Sequence, residues 1–246
     1  LVQREIAPDP DGLFDYFRRV SFRREGVFTS EVLAARLAET EQVLCVVNTR
    51  KRARQVYESL PEEGRFHLST LMIPTDREET LNTIRARLRN GQTCRVVSTS
   101  LVEAGVDVDF PSVWRELAGL DSILQAAGRC NREGKRSAAE SVVHVFETEG
   151  GCPGPMIQQR EAATKVMGEF EDINTRPAIR AYFNRLLWEK GDNALDIKHI
   201  LNSERFCMFQ ETAEAFRLID DDTCTVYVPN EGNAKDIAQL RAGLYS

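Results

Sequence analysis

The stretch QAAGRCNR at 125–132 carries the residues best suited to chemistry in this chain. Two arginines, Arg129 and Arg132, stand three positions apart behind a glycine. If the stretch opens a helix, as its pattern indicates, both guanidinium groups share one helical face. Two permanently charged forks of this kind can bind a single anion, and phosphate matches their geometry. A solvated helix whose arginines pair with nearby acids is the alternative.

A second stretch, VSTSLVEAGVDVD at 97–109, reads as a strand that runs into a loop. Gly105 would let the backbone pass close to a nucleotide because it carries no side chain. Asp107 could accept a hydrogen bond from a ribose hydroxyl or orient an arginine of the first stretch. Thr99, at the end of the strand, could donate its hydroxyl to a nucleic-acid phosphate. An ordinary sheet-to-loop turn is the alternative.

In this order and at this distance, the two stretches resemble motifs V and VI of superfamily 2 helicases. The resemblance implies that Arg129 and Arg132 face the phosphates of ATP between two RecA-like lobes. Arg132 is then the better candidate for the arginine finger. It also implies that Gln125 seats the nucleotide or couples it to nucleic acid, and that Gly128 permits close packing at the helix start.

Asn48, Thr49, Arg50 and Lys51 follow a predicted strand and resemble motif IV, which contacts the nucleic-acid backbone in this superfamily. With two further arginines they form the densest basic run of the chain. We therefore predict a local nucleic-acid groove here. A solvated helix start is the alternative.

Carboxylates, cysteines and histidines give no metal pattern. Structural roles are expected for Glu103 and Asp109, and the triple aspartate at 220–222 reads as a solvated turn. The six cysteines include no C-x-x-C pair, and the three histidines are not spaced with them as ligands. We expect no metal site in this chain and reduced thiols in a cytosolic protein.

The two stretches need a scaffold, and the first 150 residues alternate strand and helix patterns. Such alternation predicts a parallel sheet flanked by helices, an α/β fold of the RecA-like kind. Thr49 is expected to cap one helix and a capping box at 75–78 to begin the next. The predicted strands are 43–47, 66–69, 95–98, 112–117 and 141–146, and the predicted helices include 33–37, 50–60 and 75–90.

A run of glycine and proline at 150–155 marks the clearest boundary. Beyond it the pattern becomes mainly helical and predicts a smaller extension, with helices at 156–170, 176–190, 194–201 and 212–219 and a strand at 223–228. We divide the chain into a RecA-like lobe (1–150), a helical linker (151–205) and a C-terminal segment (206–246).

Charge and hydropathy limit the classes of function. The net charge is −6, and the deficit lies wholly after residue 140. Nucleic acid would therefore meet a local groove rather than a basic surface. With no apolar run long enough to span a membrane and no signal peptide, we expect a cytoplasmic protein without a membrane partner.

The ATP site is expected to be incomplete. The sequence contains no G-x-x-x-x-G-K-[ST] loop to cradle phosphates and no D-E-x-[HD] pair to hold magnesium. It also lacks a His-Asp dipeptide for a metal nuclease. We predict that the chain alone does not hydrolyse ATP.

Four stretches resemble the Cas3 family of CRISPR-associated helicase-nucleases. They are VEAGVDVDF at 102–110, QAAGRCNR at 125–132, HLSTLM at 67–72 and AEAFRLIDDD at 213–222. The resemblance implies ATP-dependent 3′–5′ movement on single-stranded DNA in type I CRISPR interference, with recruitment by the Cascade complex.

The same resemblance places an HD nuclease and the first RecA-like lobe upstream in a longer protein, with ATP and Mg²⁺ bound together with that lobe. Two alternatives stay open. One is lobe 2 of another superfamily 2 motor acting on DNA or RNA. The other is a non-catalytic module that binds Cascade or an inhibitor protein.

Overall fold

The computed structural model describes residues 5–103, 105–151, 154–190, 200, 208–216, 226–229 and 232–243. The chain divides into two compact units, Leu1–Gly191 and Asp192–Ser246. The first unit contains a six-stranded sheet flanked by helices, so the predicted α/β class is confirmed. Among the helices described, none is long and apolar enough to cross a membrane.

All strand pairs of the sheet are parallel, in the order β1-β6-β5-β2-β4-β3. The centre is β2, whose residues 43–46 are buried on both faces, as a strand covered on both sides requires. The strands are β1 (Ser21–Phe28), β2 (Gln42–Val46), β3 (Arg65–Leu68), β4 (Cys94–Ser98), β5 (Ser112–Glu116) and β6 (Val142–Thr148).

Helices connect most successive strands, as parallel pairing demands; β4 and β5 are joined by a 3₁₀ turn (Ser100–Val102) and a loop. Those of the first unit are α1 (Pro10–Tyr16), α2 (Ser30–Ala38), α3 (Arg50–Ser59), α4 (Pro74–Arg89), α5 (Leu120–Ala127), α6 (Ile157–Glu169) and α7 (Arg176–Lys190). The described part of the second unit contains α8 (Phe209–Ala215) and α9 (Ala234–Arg241).

Two apolar cores lie on opposite faces of the sheet because strand side chains alternate. On one face, Val43 and Cys45 of β2 pack with α2 and α3. On the other, Leu44 and Val46 pack with α4 and the end of α5. A third cluster joins the start of α5 to α6 and α7 around the buried Tyr182. The sheet is therefore a rigid platform for the loops at its ends.

The predicted strands of the sheet are all present, but β1 was not predicted from the sequence. Of the two predicted helix caps, one is present and the other is not. Thr49 accepts a hydrogen bond from Arg52 N and caps α3 as expected. The predicted capping box at 75–78 is wrong: α4 begins at Pro74, and its N-cap residue Ile73 makes no side-chain cap. Proline at the first helical position fixes that start instead.

In the C-terminal part, α6 and α7 lie close to their predicted bounds. The predicted helix 194–201 falls outside the described residues except for residue 200, and α8 covers the first part of the predicted 212–219 helix. Residues 226–229 are not in a strand, and the rest of the predicted 223–228 strand lies outside the described residues. The functional division at 150 and 205 stays a prediction.

Candidate functional site

Arg129 and Arg132 follow a helix rather than begin one, which corrects the sequence-based prediction. Helix α5 ends at Ala127, and Gly128 is its C-cap. Asn131, between the two arginines, has a φ of 48°, in the left-handed region. A residue there interrupts a helix, so the two side chains do not share a helical face.

Arg129 points into the protein. Its Nε donates to the carbonyl of Val102 at 2.8 Å, and its Nη2 donates to the carbonyl of Glu103 at 2.7 Å. The residue is 7% exposed. These charge-assisted bonds fix the turn that follows β4, so Arg129 holds the 97–109 stretch in place.

Arg132 points outward. Its side chain is 44% exposed, and its Nε lies 2.7 Å from Asp107 Oδ1. Its backbone N–H donates to Asp109 Oδ1 at 2.7 Å, and Arg19 donates to its carbonyl. The backbone is thus anchored while the guanidinium stays accessible, as a group that binds an anion requires.

Asn131 holds this loop in place through hydrogen bonds to neighbouring segments. Its backbone N–H donates to the carbonyl of Phe110 at 3.0 Å. Its side-chain Nδ2 donates to the carbonyls of Arg19 and Arg136, at 2.8 and 2.7 Å. The residue is fully buried, and Phe110 lies two residues before β5. The loop therefore sits at the amino edge of the sheet, next to the chain that enters β1.

The predicted glycine and aspartate of the 97–109 stretch occupy an exposed loop. Gly105 has a φ of 73° and nothing within 4 Å of an added Cβ. Its backbone conformation, not a crowded space, favours glycine. The Asp107 carbonyl accepts from Arg85 Nε of α4 at 2.9 Å, while its carboxylate pairs with Arg132. Of the two predicted roles of Asp107, orienting an arginine matches this contact.

A cleft of about 500 Å³ lies between α4 and these loops. Five cationic side chains outnumber three acidic ones in its lining, which suits a polyanion. Sequence reasoning identified Arg132 and Asp107 but missed most of the others, because they come from separate elements. The lining cations are Arg85, Arg89, Arg132, Lys135 and Arg136, and the acids are Asp107, Asp109 and Glu133.

The residues resembling motif IV lie elsewhere, at the carboxyl end of β2. Arg50 and Lys51, at the start of α3, are exposed, and among the described residues neither forms an ion pair. Thr49 uses its hydroxyl to cap α3. Asn48 accepts from Arg115 through Oδ1 at 2.7 Å and donates from Nδ2 to the Leu117 carbonyl at 3.0 Å. Two exposed cations thus remain available for a phosphate backbone.

Two further predicted residues differ in exposure. Thr99 is 8% exposed and does not cap the 3₁₀ turn that follows it. Gln125, on the last turn of α5, is exposed, as is Gly128. Because Gln125 is exposed to solvent and Thr99 is buried, Gln125 is the better placed of the two to contact a ligand.

A buried polar network joins the ends of β2 and β5, and sequence reasoning missed it. Arg115 is 1% exposed, and its Nε lies 3.0 Å from Glu103 Oε1. Glu116 accepts from Asn48 N at 2.7 Å and from Arg52 Nη1 at 2.6 Å. Adjacent Arg and Glu at the end of a doubly covered strand were the available signal, since buried charges must be paired.

Burial changes the proton affinity of this network. Desolvation raises the pKa of the Glu103 carboxyl above its ordinary value, and the charge of Arg115 opposes that shift. Desolvation, reinforced by the charge of Arg132, lowers the pKa of Arg129. Arginine remains protonated at neutral pH, so Arg129 keeps its hold on the two carbonyls.

Glu103 and Asp109 have structural contacts, as expected for both. Asp109 accepts from Arg132 N and pairs with Arg136 at 3.4 Å. Across the described ranges, no group of three or more His, Cys, Asp or Glu is placed to hold a metal ion. The triple aspartate at 220–222 lies outside those ranges.

Comparison with known proteins gives consistent matches. Residues 39–135 match the family model described as CRISPR-associated nuclease/helicase Cas3, C-terminal. The CRISPR-associated helicase Cas3 of Thermoproteus tenax is 28% identical over 147 residues, 58% of this chain and 25% of that protein. The CRISPR-associated nuclease/helicase Cas3 of Haloferax volcanii is 52% identical over 138 residues, 45% of this chain and 15% of that protein. The chain thus spans a quarter or less of each relative.

The fold is shared with a solved structure. The crystal structure of T. fusca Cas3-ADP superposes with a TM-score of 0.55 and 18% identity, over 80% of this chain and 27% of that chain. At that identity the likeness shows the fold alone. The matched segment and the relatives make this chain similar to the C-terminal part of Cas3 proteins, and the shared fold agrees with that similarity.

Proposed function

We propose that this chain is the second motor lobe of an ATP-dependent translocase that moves 3′ to 5′ along single-stranded DNA in type I CRISPR interference. The observation that carries the proposal is the accessible, oriented guanidinium of Arg132 beside a cleft with excess positive charge. Similarity to Cas3 proteins supports a motor of the helicase class.

The proposed nucleotide is ATP with Mg²⁺, held jointly with a first RecA-like lobe of a longer protein. When bound, ATP supplies the phosphoryl group whose transfer to water releases the free energy for movement. Arg132 stabilises the negative charge that develops on that group, as an arginine finger does. Asp107 orients Arg132 through the 2.7 Å contact. Arg129, buried against two carbonyls, sets the position of the loop that carries Asp107.

Three further residues complete the proposed nucleotide surface. Gln125 and Gly128 lie at the exposed end of α5, where a polar side chain and a bare backbone could face the nucleotide. Gly105 allows the positive φ of its loop, which a residue with a side chain would disfavour. The fit to a phosphate rests on the cations of the cleft, while the ligands of Mg²⁺ belong to the first lobe.

The proposed DNA contact is the start of α3. Arg50 and Lys51 would neutralise backbone phosphates, which gives sequence-independent affinity. Asn48, Thr49 and Thr99 lie at the carboxyl ends of β2 and β4. There they would align the bound DNA strand. Since Asn48 and Thr49 already have partners in the protein, their main role would be to place the two cations.

The remaining partners follow from the Cas3 relationship. We propose recruitment by Cascade, an HD nuclease elsewhere in the longer protein and action in the cytoplasm. Alone, the chain would bind single-stranded DNA weakly and would not turn over ATP.

The decisive experiment measures DNA-stimulated ATP hydrolysis in the full-length protein carrying Arg132→Ala, with Arg132→Lys beside it. Both changes should abolish turnover, since lysine keeps the charge but loses the planar fork. Wild-type turnover in Arg132→Ala would overturn the motor role and favour a non-catalytic binding module.

A further inference from the structure

A continuous line of contacts runs from Asn48, just before α3, to the buried Arg129; it passes through the side chains of Arg115 and Glu103 and ends at the Glu103 backbone carbonyl. Asn48 Oδ1 accepts from Arg115 Nη1 at 2.7 Å, and Arg115 Nε lies 3.0 Å from Glu103 Oε1. The Glu103 carbonyl then accepts from Arg129 Nη2 at 2.7 Å. Arg115 is the centre of this line, and it belongs to neither of the two stretches that carry the candidate site.

Burial makes the line rigid. Arg115 and Glu103 are 1% and 8% exposed. An unpaired charge in such a place is very costly, so each partner must follow when the other moves. Their burial keeps most water away from both partners. A displacement at Asn48 would therefore change the contact between Arg115 and Glu103.

Asn48 is also tied to the helix that carries the proposed DNA-facing cations. Its backbone N–H donates to Glu116 Oε2 at 2.7 Å, and Glu116 Oε1 accepts from Arg52 of α3 at 2.6 Å. The other end of the line is the Arg129 anchor of the loop that presents Asp107. The two ends therefore belong to the proposed DNA and nucleotide surfaces.

We propose that Arg115 is a positioning residue that couples nucleotide binding to DNA binding. The inference rests on the proposed motor function and extends it to a residue outside the motifs. Allosteric coupling is reciprocal: if a nucleotide changes the affinity for DNA by some factor, DNA changes the affinity for the nucleotide by the same factor. In this proposal Arg115 carries the coupling between the two binding sites and contacts neither ligand.

The test uses the full-length protein and two probes, a non-hydrolysable ATP analogue and a fluorescent single-stranded oligonucleotide. The DNA dissociation constant is measured with and without saturating analogue. In the wild type the ratio should depart from unity by about 5- to 150-fold, the usual range of allosteric coupling. Arg115→Lys and Glu103→Gln should bring the ratio close to unity, while the dissociation constant without nucleotide is retained.

Arg115→Lys guards against misfolding, because it keeps the buried positive charge that faces Glu103 while removing the planar fork. Glu103→Gln preserves the side-chain shape and removes the charge that faces Arg115. Arg95→Lys is the matched control: Arg95 lies on β4 and donates to the carbonyls of Thr40 and Ala38, away from the line. It should keep the wild-type ratio. A purely structural role for Arg115 would lower thermal stability and leave the ratio intact.

The outcomes separate the two proposals. A wild-type ratio near unity would overturn the motor function and this inference with it. A clear wild-type ratio that survives in both Arg115→Lys and Glu103→Gln would overturn the inference alone. Loss of the ratio in Arg95→Lys as well would also overturn it, since the effect would then not be specific to the line.

Discussion

Arg132 and Asp107 come from separate loops, yet Arg132 Nε lies 2.7 Å from Asp107 Oδ1. Both side chains are largely open to solvent, so their ion pair adds little to the free energy of folding. Its value is orientation: the aspartate holds the guanidinium in one direction without burying it. Arg129, three residues earlier, is buried against two carbonyls. The two arginines of one motif therefore have different physical roles.

The first prediction separates stability from turnover. Arg129→Ala should lower the free energy of unfolding by about 2–4 kcal/mol, because two buried carbonyls lose their donors. Arg132→Ala should change it by about 0.5 kcal/mol or less, as surface substitutions do, yet reduce ATP turnover of the full-length protein by about 10³–10⁵. Urea unfolding and steady-state hydrolysis measure the two effects. Equal destabilisation by both changes would contradict the assignment.

The second prediction concerns the α3 surface. The double change Arg50→Ala with Lys51→Ala should weaken binding of single-stranded DNA. It should also reduce the slope of log affinity against log salt by about 1.4, since each phosphate contact on a single strand contributes about 0.7. Fluorescence anisotropy over a salt series gives both values.

A matched control for that surface lies on the same helix. Arg54 is exposed and pairs with Glu58 at 2.7 Å, so Arg54→Ala removes a cation that already has an internal partner. It should leave the salt slope near the wild-type value. If Arg54→Ala had the larger effect, the DNA groove would lie elsewhere on α3.

The third prediction uses two glycines that both have open space around an added Cβ. Gly105→Ala should destabilise the chain by about 1–2 kcal/mol because its φ is 73°. Gly168→Ala lies within α6, where alanine is the better helix former, and should stabilise by about 0.5–1 kcal/mol. Chemical denaturation measures both. Equal effects would mean that backbone conformation is not the reason for Gly105.

The fourth prediction concerns thiol chemistry. Burial raises the pKa of Cys94 and of Cys130 to about 12 and raises that of Cys45 further. The thiolate is the reactive form, so iodoacetamide at pH 8 should label these three residues only after unfolding. Peptide mass spectrometry resolves each cysteine. Rapid labelling of the folded chain at Cys94 would show that its environment is open.

The same shifts set an alkaline limit. Because the folded-state pKa exceeds the unfolded value near 9, these thiols contribute stability that is fully present below about pH 9. That contribution is lost as the pH rises towards 12. Cys94→Ala should therefore flatten the fall of unfolding free energy over this window. An unchanged slope would contradict the predicted shift.

The sequence predicts the sheet well and its loops less well. Continuous apolar runs such as 43–47 identify buried strands, because few other structures tolerate them. Strand β1 escaped prediction since its edge position leaves Arg23, Arg24 and Val27 exposed and erases the apolar pattern. The helix predicted to carry Arg129 and Arg132 ends before them. Their spacing alone could not reveal the φ of Asn131, which tertiary hydrogen bonds impose.

The buried network is the other part that the sequence does not reveal. Arg115 and Glu116 look like ordinary charges in a strand, and only the register of β5 with β2 brings them to Asn48. Contacts between residues about seventy positions apart depend on chain topology rather than local pattern. The sequence shows that a buried charge needs a partner, but it does not show which residue that partner is.

The left-handed backbone at Asn131 has a consequence for how the motif tolerates change. Two arginines on one helical face could exchange tasks by small rotations of their side chains. Here the left-handed residue between them breaks the helical geometry, and one guanidinium is buried while the other is exposed. Neither side chain can reach the position of the other, so we expect a substitution at either position to be uncompensated by its neighbour.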